Sequence, residues 1–184
     1  FHAWIVVPSY PQGRQVWNEI VSLFPSQYVA SSLEDDWLIN LTGSQYRSWG
    51  QIEIKSAHLP ESLQTVGLDY LWISEAQDVK ESAWEKLLPT LTSPERKLHL
   101  VVEGIPALYQ DHWFRKLYLQ AASGAKGYLA HKATAFQNPL LSEEQIQEIE
   151  FHREVLREAT WRRMYLAEFS SSAGYFTNVD ACVS

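Results

Sequence analysis

Short apolar runs alternate with longer stretches in which apolar residues recur every three to four positions. That alternation predicts an α/β domain on a mostly parallel sheet. Residues 2–8 (His2, Ala3, Trp4, Ile5, Val6, Val7, Pro8) read as a buried strand stopped by proline. A helix is predicted from about Pro11, where proline is tolerated in the first turn, with Val16, Trp17, Ile20, Val21 and Phe24 on one face. Residues 36–41 and 51–55 alternate at period two. Turn-forming Thr42-Gly43-Ser44 and Ser48-Trp49-Gly50 lie between them, so this stretch reads as an antiparallel hairpin. Residues 68–73, apolar at nearly every position, form the strongest central strand. Helix is then expected over 81–91, strand over 98–102, and helix over 111–122 with Trp113, Phe114, Leu117 and Tyr118 as its stripe. A weak strand is expected over 127–131. Ser142 and Gln145 make a capping box that opens a helix through Ile146, Ile149, Val155 and Leu156, with a further helix over 160–169. From Ser170 a Ser/Gly stretch reads as the start of a linker. The pattern shows no internal repeat and no second domain.

Composition narrows the class. A chain of 184 residues suits one domain, and 46% hydrophobic with 20% charged residues excludes disorder and collagen-like repeats. The net charge of −7, without a polybasic block, gives no general attraction for a nucleic-acid backbone; such contact would come from a local patch or from partners. The one cysteine, Cys182, excludes a disulfide scaffold and a Cys-based zinc site and fits a reducing compartment. No apolar run approaches the roughly 18–20 residues of a membrane span, and no signal peptide is visible. The only methionine is Met164, so the chain reads as a piece of something longer.

The end of the predicted central strand, Trp72-Ile73-Ser74-Glu75-Ala76-Gln77, carries the most chemical information. Nucleotide-hydrolysing α/β domains present a carboxylate in this way to the metal–phosphate site at the sheet's C-terminal edge. Glu75 has the chemistry to orient or deprotonate an attacking water. Taken alone, it better fits an ordinary helix-start or loop acid after a strand. A second candidate is the turn Glu103-Gly104-Ile105-Pro106, where glycine can bring backbone close to a ligand or simply end the strand. No G-x-x-x-x-G-K-[ST] loop, G-x-S-x-G elbow or H-E-x-x-H pair is present, and the six histidines do not cluster in sequence. Arg153, Arg157, Arg162 and Arg163 interleave with Glu150, Glu154 and Glu158, which favours a self-paired solvated face over a DNA-facing patch. Most of the aromatics sit on apolar stripes, where core packing explains them better than base stacking.

In order and spacing, these segments resemble the ATPase domain of the large terminase subunit, the DNA-packaging motor of tailed bacteriophages and their prophages. Trp4-Ile5-Val6-Val7-Pro8-Ser9-Tyr10-Pro11-Gln12 is similar to the strand and turn that follow that family's phosphate-binding loop. Gly67-Leu68-Asp69-Tyr70-Leu71-Trp72-Ile73-Ser74-Glu75 resembles its Walker B segment, with Ala83-Trp84 and Leu87-Leu88-Pro89-Thr90-Leu91 as the helix after it. Gly104-Ile105-Pro106 with Trp113-Phe114 and Leu117-Tyr118 resembles the coupling motif and its helix. Asn138-Pro139, Glu143-Glu144-Gln145-Ile146 and Tyr165-Leu166-Ala167-Glu168-Phe169 resemble the end of the domain, before a linker to a nuclease domain.

The resemblance implies a three-layer, mostly parallel sheet flanked by helices, of the RecA-like P-loop NTPase type (ASCE), with its N-terminal part missing. Residues 1–169 would be a partial ATPase domain and 170–184 the linker start. It implies ATP and Mg2+ in the parent protein, with Glu75 positioning the water, and with Ser74, Gly104 and Pro106 near the nucleotide. Ser74 stands where the family usually has the metal-holding aspartate, and would hold the ion only weakly. Gln64 stands where some members carry an arginine finger, and Ile105 where the coupling motif has a hydroxyl. The implied partners are double-stranded DNA, the portal protein, the small terminase subunit and further copies in a ring, with no membrane, in the bacterial host's cytoplasm. The phosphate-binding loop would lie upstream of Phe1, so this piece is expected neither to hydrolyse ATP alone nor to bind nucleotide tightly. The absent strand is expected to leave a central position of the sheet empty. Those departures keep a second reading open, a non-catalytic ATPase-like assembly module; a helicase-like ATPase ranks last, for want of helicase motifs downstream.

Overall fold

In chain order the first part of the molecule carries β1 (His2–Val7), α1 (Tyr10–Leu23), β2 (Val29–Leu33), β3 (Leu38–Leu41), β4 (Gly50–Ser56), β5 (Tyr70–Ile73), α2 (Glu81–Leu87) and β6 (His99–Val102). This is a computed structural model, and it describes residues 1–42, 50–64, 67–92 and 98–169. Two compact units divide the chain, Phe1–Gly104 and Ile105–Ser184.

The strands of the first unit form one sheet in the order β2-β3-β4-β1-β5-β6. β1 runs parallel to both neighbours, β4 and β5, and β6 is parallel to β5. β3 is antiparallel to β4, as the period-two pattern predicts, with Leu38 opposite Glu53 and Leu41 opposite Gly50. Gly43, Ser44, Ser48 and Trp49, expected to turn there, lie outside the described residues. The expected central strand, β5, is interior, but the middle of the sheet belongs to β4 and β1. From Ala3 onward every residue of β1 is buried, which fits a strand paired on both sides. The six strands follow one another without an empty position, unlike the expected central gap. Among the described residues the free edges are those of the two outer strands, β2 and β6; on β6, His99 and Val101 are exposed.

Alternation along the strands gives the sheet two apolar faces. On one, Ile5, Val7, Ile39 and Ile54 pack with Trp37 and with Trp17 of α1, while Val16 and Ile20 of α1 lean on the same cluster. Each such fully buried large side chain contributes about 1.5–3 kcal/mol of transfer free energy. A Cβ at Gly13 of α1 would run into the Trp37 ring, so glycine is what lets the helix lie this close. Trp4, Val6, Leu71 and Ile73, register partners on β1 and β5, point the other way and are also buried. Glu53 shares the Trp4 side. It accepts from His2 Nε2 at 2.7 Å and Trp4 Nε1 at 3.3 Å, and pairs with Lys55, whose ammonium sits 5.2 Å from the Trp4 ring centre. Burial alone would raise the Glu53 pKa, but the hydrogen bonds from Lys55 and His2 and the Lys55 charge outweigh it and hold the carboxyl below its ordinary value.

Three expectations are corrected. β2 was not foreseen. The helix over 81–91 is α-helical only to Leu87 and continues as a 3-10 helix, Leu88–Thr92. Pro89 supplies no backbone donor for the α ladder. Residues 127–131 form no strand: Gly127 takes a φ of 87°, Leu129 is 94% exposed, and no strand lies alongside among the described residues.

The second unit is helical among its described residues, with α3 (Trp113–Ala122), α4 (Glu143–Val155) and α5 (Glu158–Tyr165). Trp113 and Phe114 of α3 are buried, as their stripe predicts. The capping box at α4 is present with both bonds: Gln145 N donates to Ser142 Oγ at 3.2 Å, and Ser142 N to Gln145 Oε1 at 2.9 Å. Buried Trp161 of α5 donates from Nε1 to the Ile149 carbonyl of α4 at 2.8 Å. The expected self-pairing of the arginine-rich end holds for two of its four arginines: Arg153 and Arg162 both reach Glu158 at 3.5 Å, and Arg162 also reaches Glu168 at 2.6 Å, whereas Arg163 donates to the Pro106 carbonyl.

Candidate functional site

All the parallel strands of the sheet end at one edge, at Val7, Ser56, Ile73 and Val102. The peptide after β5 continues the ladder by one bond, Ser74 N to Val6 O at 2.9 Å. Ser74 is half-buried, and its Oγ donates to Glu103 Oε1 at 2.6 Å. Glu75 leaves the sheet with φ 51° and ψ 49°, the left-handed region that costs a non-glycine residue roughly 1–2 kcal/mol. Its side chain is exposed at the strand end. Strain of this kind is held only by surrounding structure. Here the next peptide is fixed twice: Ala76 N donates to Glu103 O and Asp78 N to Glu75 O, both at 2.9 Å. Glu75 Oε2 accepts from Gln77 Nε2 at 2.6 Å, and the same nitrogen lies 3.2 Å from Asp78 Oδ2.

Gly104 belongs to this edge for a steric reason. A Cβ there would collide with Gln77 Oε1 and come within 3.0 Å of Ala76 N. Gln77 Oε1 is itself buried without a hydrogen-bond partner among the described residues, so the turn brings a polar atom in and leaves it unsatisfied. Ser74, Glu75 and Gly104 are therefore together within the first unit. Pro106 falls in the second unit, where its carbonyl accepts from Arg163 Nη1 at 3.1 Å. The boundary between the units thus lies inside the Gly104-Ile105-Pro106 turn. Gln64 is exposed after the 3-10 helix Pro60–Leu63.

Glu103 enters the sequence reading as the first residue of the candidate turn, with no role and no link to Ser74. Its signal is the sheet register: Ile73 is opposite Val102, so Ser74 and Glu103 are the next residues out of adjacent strands. Among the described residues no three His, Cys, Asp or Glu side chains gather as a metal cluster. That argues against an all-protein cage. It is compatible with magnesium, which uses one or two carboxylates and completes its shell with water and phosphate oxygens. An apolar hollow of about 160 Å³, lined by Val21, Phe24, Val29 and Ile39 among others, has no charged group and is not at this edge.

A family model described as phage terminase large subunit matches residues 45–168, which include β5, the Ser74-Glu75 pair and the Gly104-Pro106 turn. The chain belongs to that family. No curated protein matches this large-terminase chain by sequence. Among solved structures it is similar to the Thermus phage P74-26 large terminase ATPase domain, at TM-score 0.65 and 18% identity over 92% of this chain and 76% of that one. It is also similar to the large terminase of a thermophilic bacteriophage solved in complex with ADP (TM-score 0.68, 16% identity, 91% of this chain and 40% of that one). The HK97 bacteriophage large terminase gives TM-score 0.68 at 15% identity, over 91% of this chain and 40% of that one. These likenesses share a fold: six mostly parallel strands flanked by helices, the RecA-like arrangement of terminase ATPase domains. The chain spans about two-fifths of the ADP-bound and HK97 proteins. Membership gives it a role in phage DNA packaging. Among the described residues no helix is long and apolar enough to cross a membrane.

Proposed function

We propose that this chain is the Walker B and coupling portion of a large-terminase ATPase domain, in which ATP hydrolysis drives DNA into a procapsid. The observation that carries the proposal is Glu75: an exposed carboxylate at the C-terminal edge of parallel strands, in a strained backbone held by its neighbours, inside the segment the family model matches. In this reading the ATP triphosphate lies along that edge, and Glu75 orients the attacking water and takes its proton. Gln77, bonded to Glu75, fixes the direction of the carboxylate. Ser74 and its neighbour Glu103 face the metal. Magnesium, when bound, neutralises charge on the phosphate oxygens. Gly104-Ile105-Pro106, where one compact unit gives way to the next, passes nucleotide state to movement. Duplex DNA, the portal protein, the small terminase subunit and further copies in a ring are the partners this reading assigns, in the bacterial host's cytoplasm. Residues 170–184 would start the linker to a nuclease domain.

The phosphate-binding loop belongs, in this reading, to a segment upstream of Phe1 whose strand pairs along the open edge of β6. The 184-residue chain would then bind ATP weakly and not turn it over, lacking the backbone cradle and lysine that hold the phosphates. A fluorescent ATP analogue tests this. The parent protein, extended upstream through that loop, is expected to bind at least about a hundredfold more tightly than the 184-residue chain, a difference of about 2.7 kcal/mol. Equal affinities would refute it.

A second reading has its own support. Ser74, Gln64 and Ile105 replace three polar groups the family uses, which suits an ATPase-like module kept for assembly contacts. Under that reading the extended protein gains no affinity for nucleotide.

A further inference from the structure

We infer that Glu103, rather than Ser74, provides the charged metal-holding oxygen of this sheet edge, and that Ser74 orients it; the inference rests on the nucleotide-site reading above. Family resemblance alone leaves the site one acid short, because Ser74 stands where an aspartate is expected. The structure supplies an acid of the same charge one strand away. Ser74 and Glu103 leave β5 and β6 side by side, and the Ser74 hydroxyl commits its proton to Glu103 Oε1 at 2.6 Å. The Glu103 backbone is fixed on both sides, its N–H donating to Ile73 O at 3.0 Å and its carbonyl accepting from Ala76 N at 2.9 Å.

Three further observations point to a cation there. Glu103 is half-buried, and among the described residues it has no lysine, arginine or histidine as partner. Among the described residues its charge is met by the Ser74 hydroxyl alone, which leaves room for a cation. Its Oε2 has no hydrogen-bond partner among the described residues, so one oxygen is held by Ser74 and the other is open. Beside it, the Gly104 turn holds the orphaned Gln77 Oε1, a second oxygen without a donor. Glu75, by contrast, is exposed and engaged by Gln77 Nε2, as suits a group that handles water rather than the metal.

The test uses Mn2+ alone as the probe, with the electron paramagnetic resonance signal of the free ion reporting binding to the 184-residue chain in the millimolar range. Circular dichroism and tryptophan fluorescence monitor the fold. Glu103→Gln is expected to weaken Mn2+ binding about tenfold or more. The swap Ser74→Asp with Glu103→Gln, which returns the acid to β5, is expected to restore affinity to within about threefold of the parent chain. Ser74→Ala, which keeps the acid and removes only its orienting partner, is expected to cost about threefold and gives a readout even if Glu103→Gln does not fold. Undiminished binding by Ser74→Ala overturns the orienting role. Binding lost in Glu75→Gln but kept in Glu103→Gln overturns the assignment and leaves the sheet-edge reading standing. Insensitivity to both overturns the two together.

Discussion

Glu53 and Glu75 are both glutamates at the sheet, and their surroundings give them different work. Glu53 is wrapped by His2, Trp4 and Lys55 on a sheet face, so its charge is part of what holds β1 to β4. Its folded pKa is depressed, so the stability it contributes is complete above its ordinary value near 4.5 and is lost as pH falls through the folded value. Thermal unfolding of the parent chain is therefore expected to worsen more steeply from pH 6 to pH 3 than that of Glu53→Gln; parallel curves would exclude the effect. Glu75 was legible in the sequence because it follows an unbroken apolar run that ends at a strand terminus. Glu103 was not, because its relation to Ser74 is made across 29 residues by strand register, which no local pattern encodes. The unsatisfied Gln77 oxygen was likewise invisible, since it arises from the close approach of Gly104.

At the scale of elements, strong periodicity translated directly. The Val16, Trp17 and Ile20 face of α1, the antiparallel β3–β4 pair and the α4 capping box each form where side-chain spacing places them, while Val21, expected on the α1 stripe, is exposed. β2 escaped because Val29, Ala30, Ser31, Ser32 and Leu33 make a polar, largely exposed edge strand with an irregular register, so no buried face shapes its sequence. Residues 127–131 misled in the opposite sense, being apolar with no sheet to join. The α4–α5 pair shows what periodicity omits: Trp161 reads as a packing residue but also donates to the Ile149 carbonyl, tying α5 to α4. Trp161→Phe keeps an aromatic ring and removes that bond, while the carbonyl keeps its place in the α4 helix. A loss of about 0.5–1.5 kcal/mol in urea unfolding is expected. A change within about 0.5 kcal/mol, the range typical of surface substitutions, would mean that the bond carries no stability.

For the whole molecule, the fold class was legible from alternation of strand and helix patterns, while the strand order was not. An empty central position was expected, yet the strands close up and the free edges are those of β2 and β6, of which the proposal above uses β6. The net charge of −7, with Arg153 and Arg162 paired to Glu158, argues against a general hold on duplex DNA. Fluorescence anisotropy with a short duplex at physiological salt is expected to give a Kd weaker than about 1 μM, in the range of non-specific binding. Submicromolar affinity at that salt would contradict this expectation.

The most direct test of the role proposed for Glu75 is steady-state ATP hydrolysis by a protein extended upstream through the phosphate-binding loop that the proposal requires, compared with its Glu75→Gln form. Loss of a positioned general base is expected to lower kcat by about 10²–10⁴-fold while nucleotide binding is kept. Hydrolysis that persists unchanged in Glu75→Gln, with nucleotide bound equally well, would contradict the account.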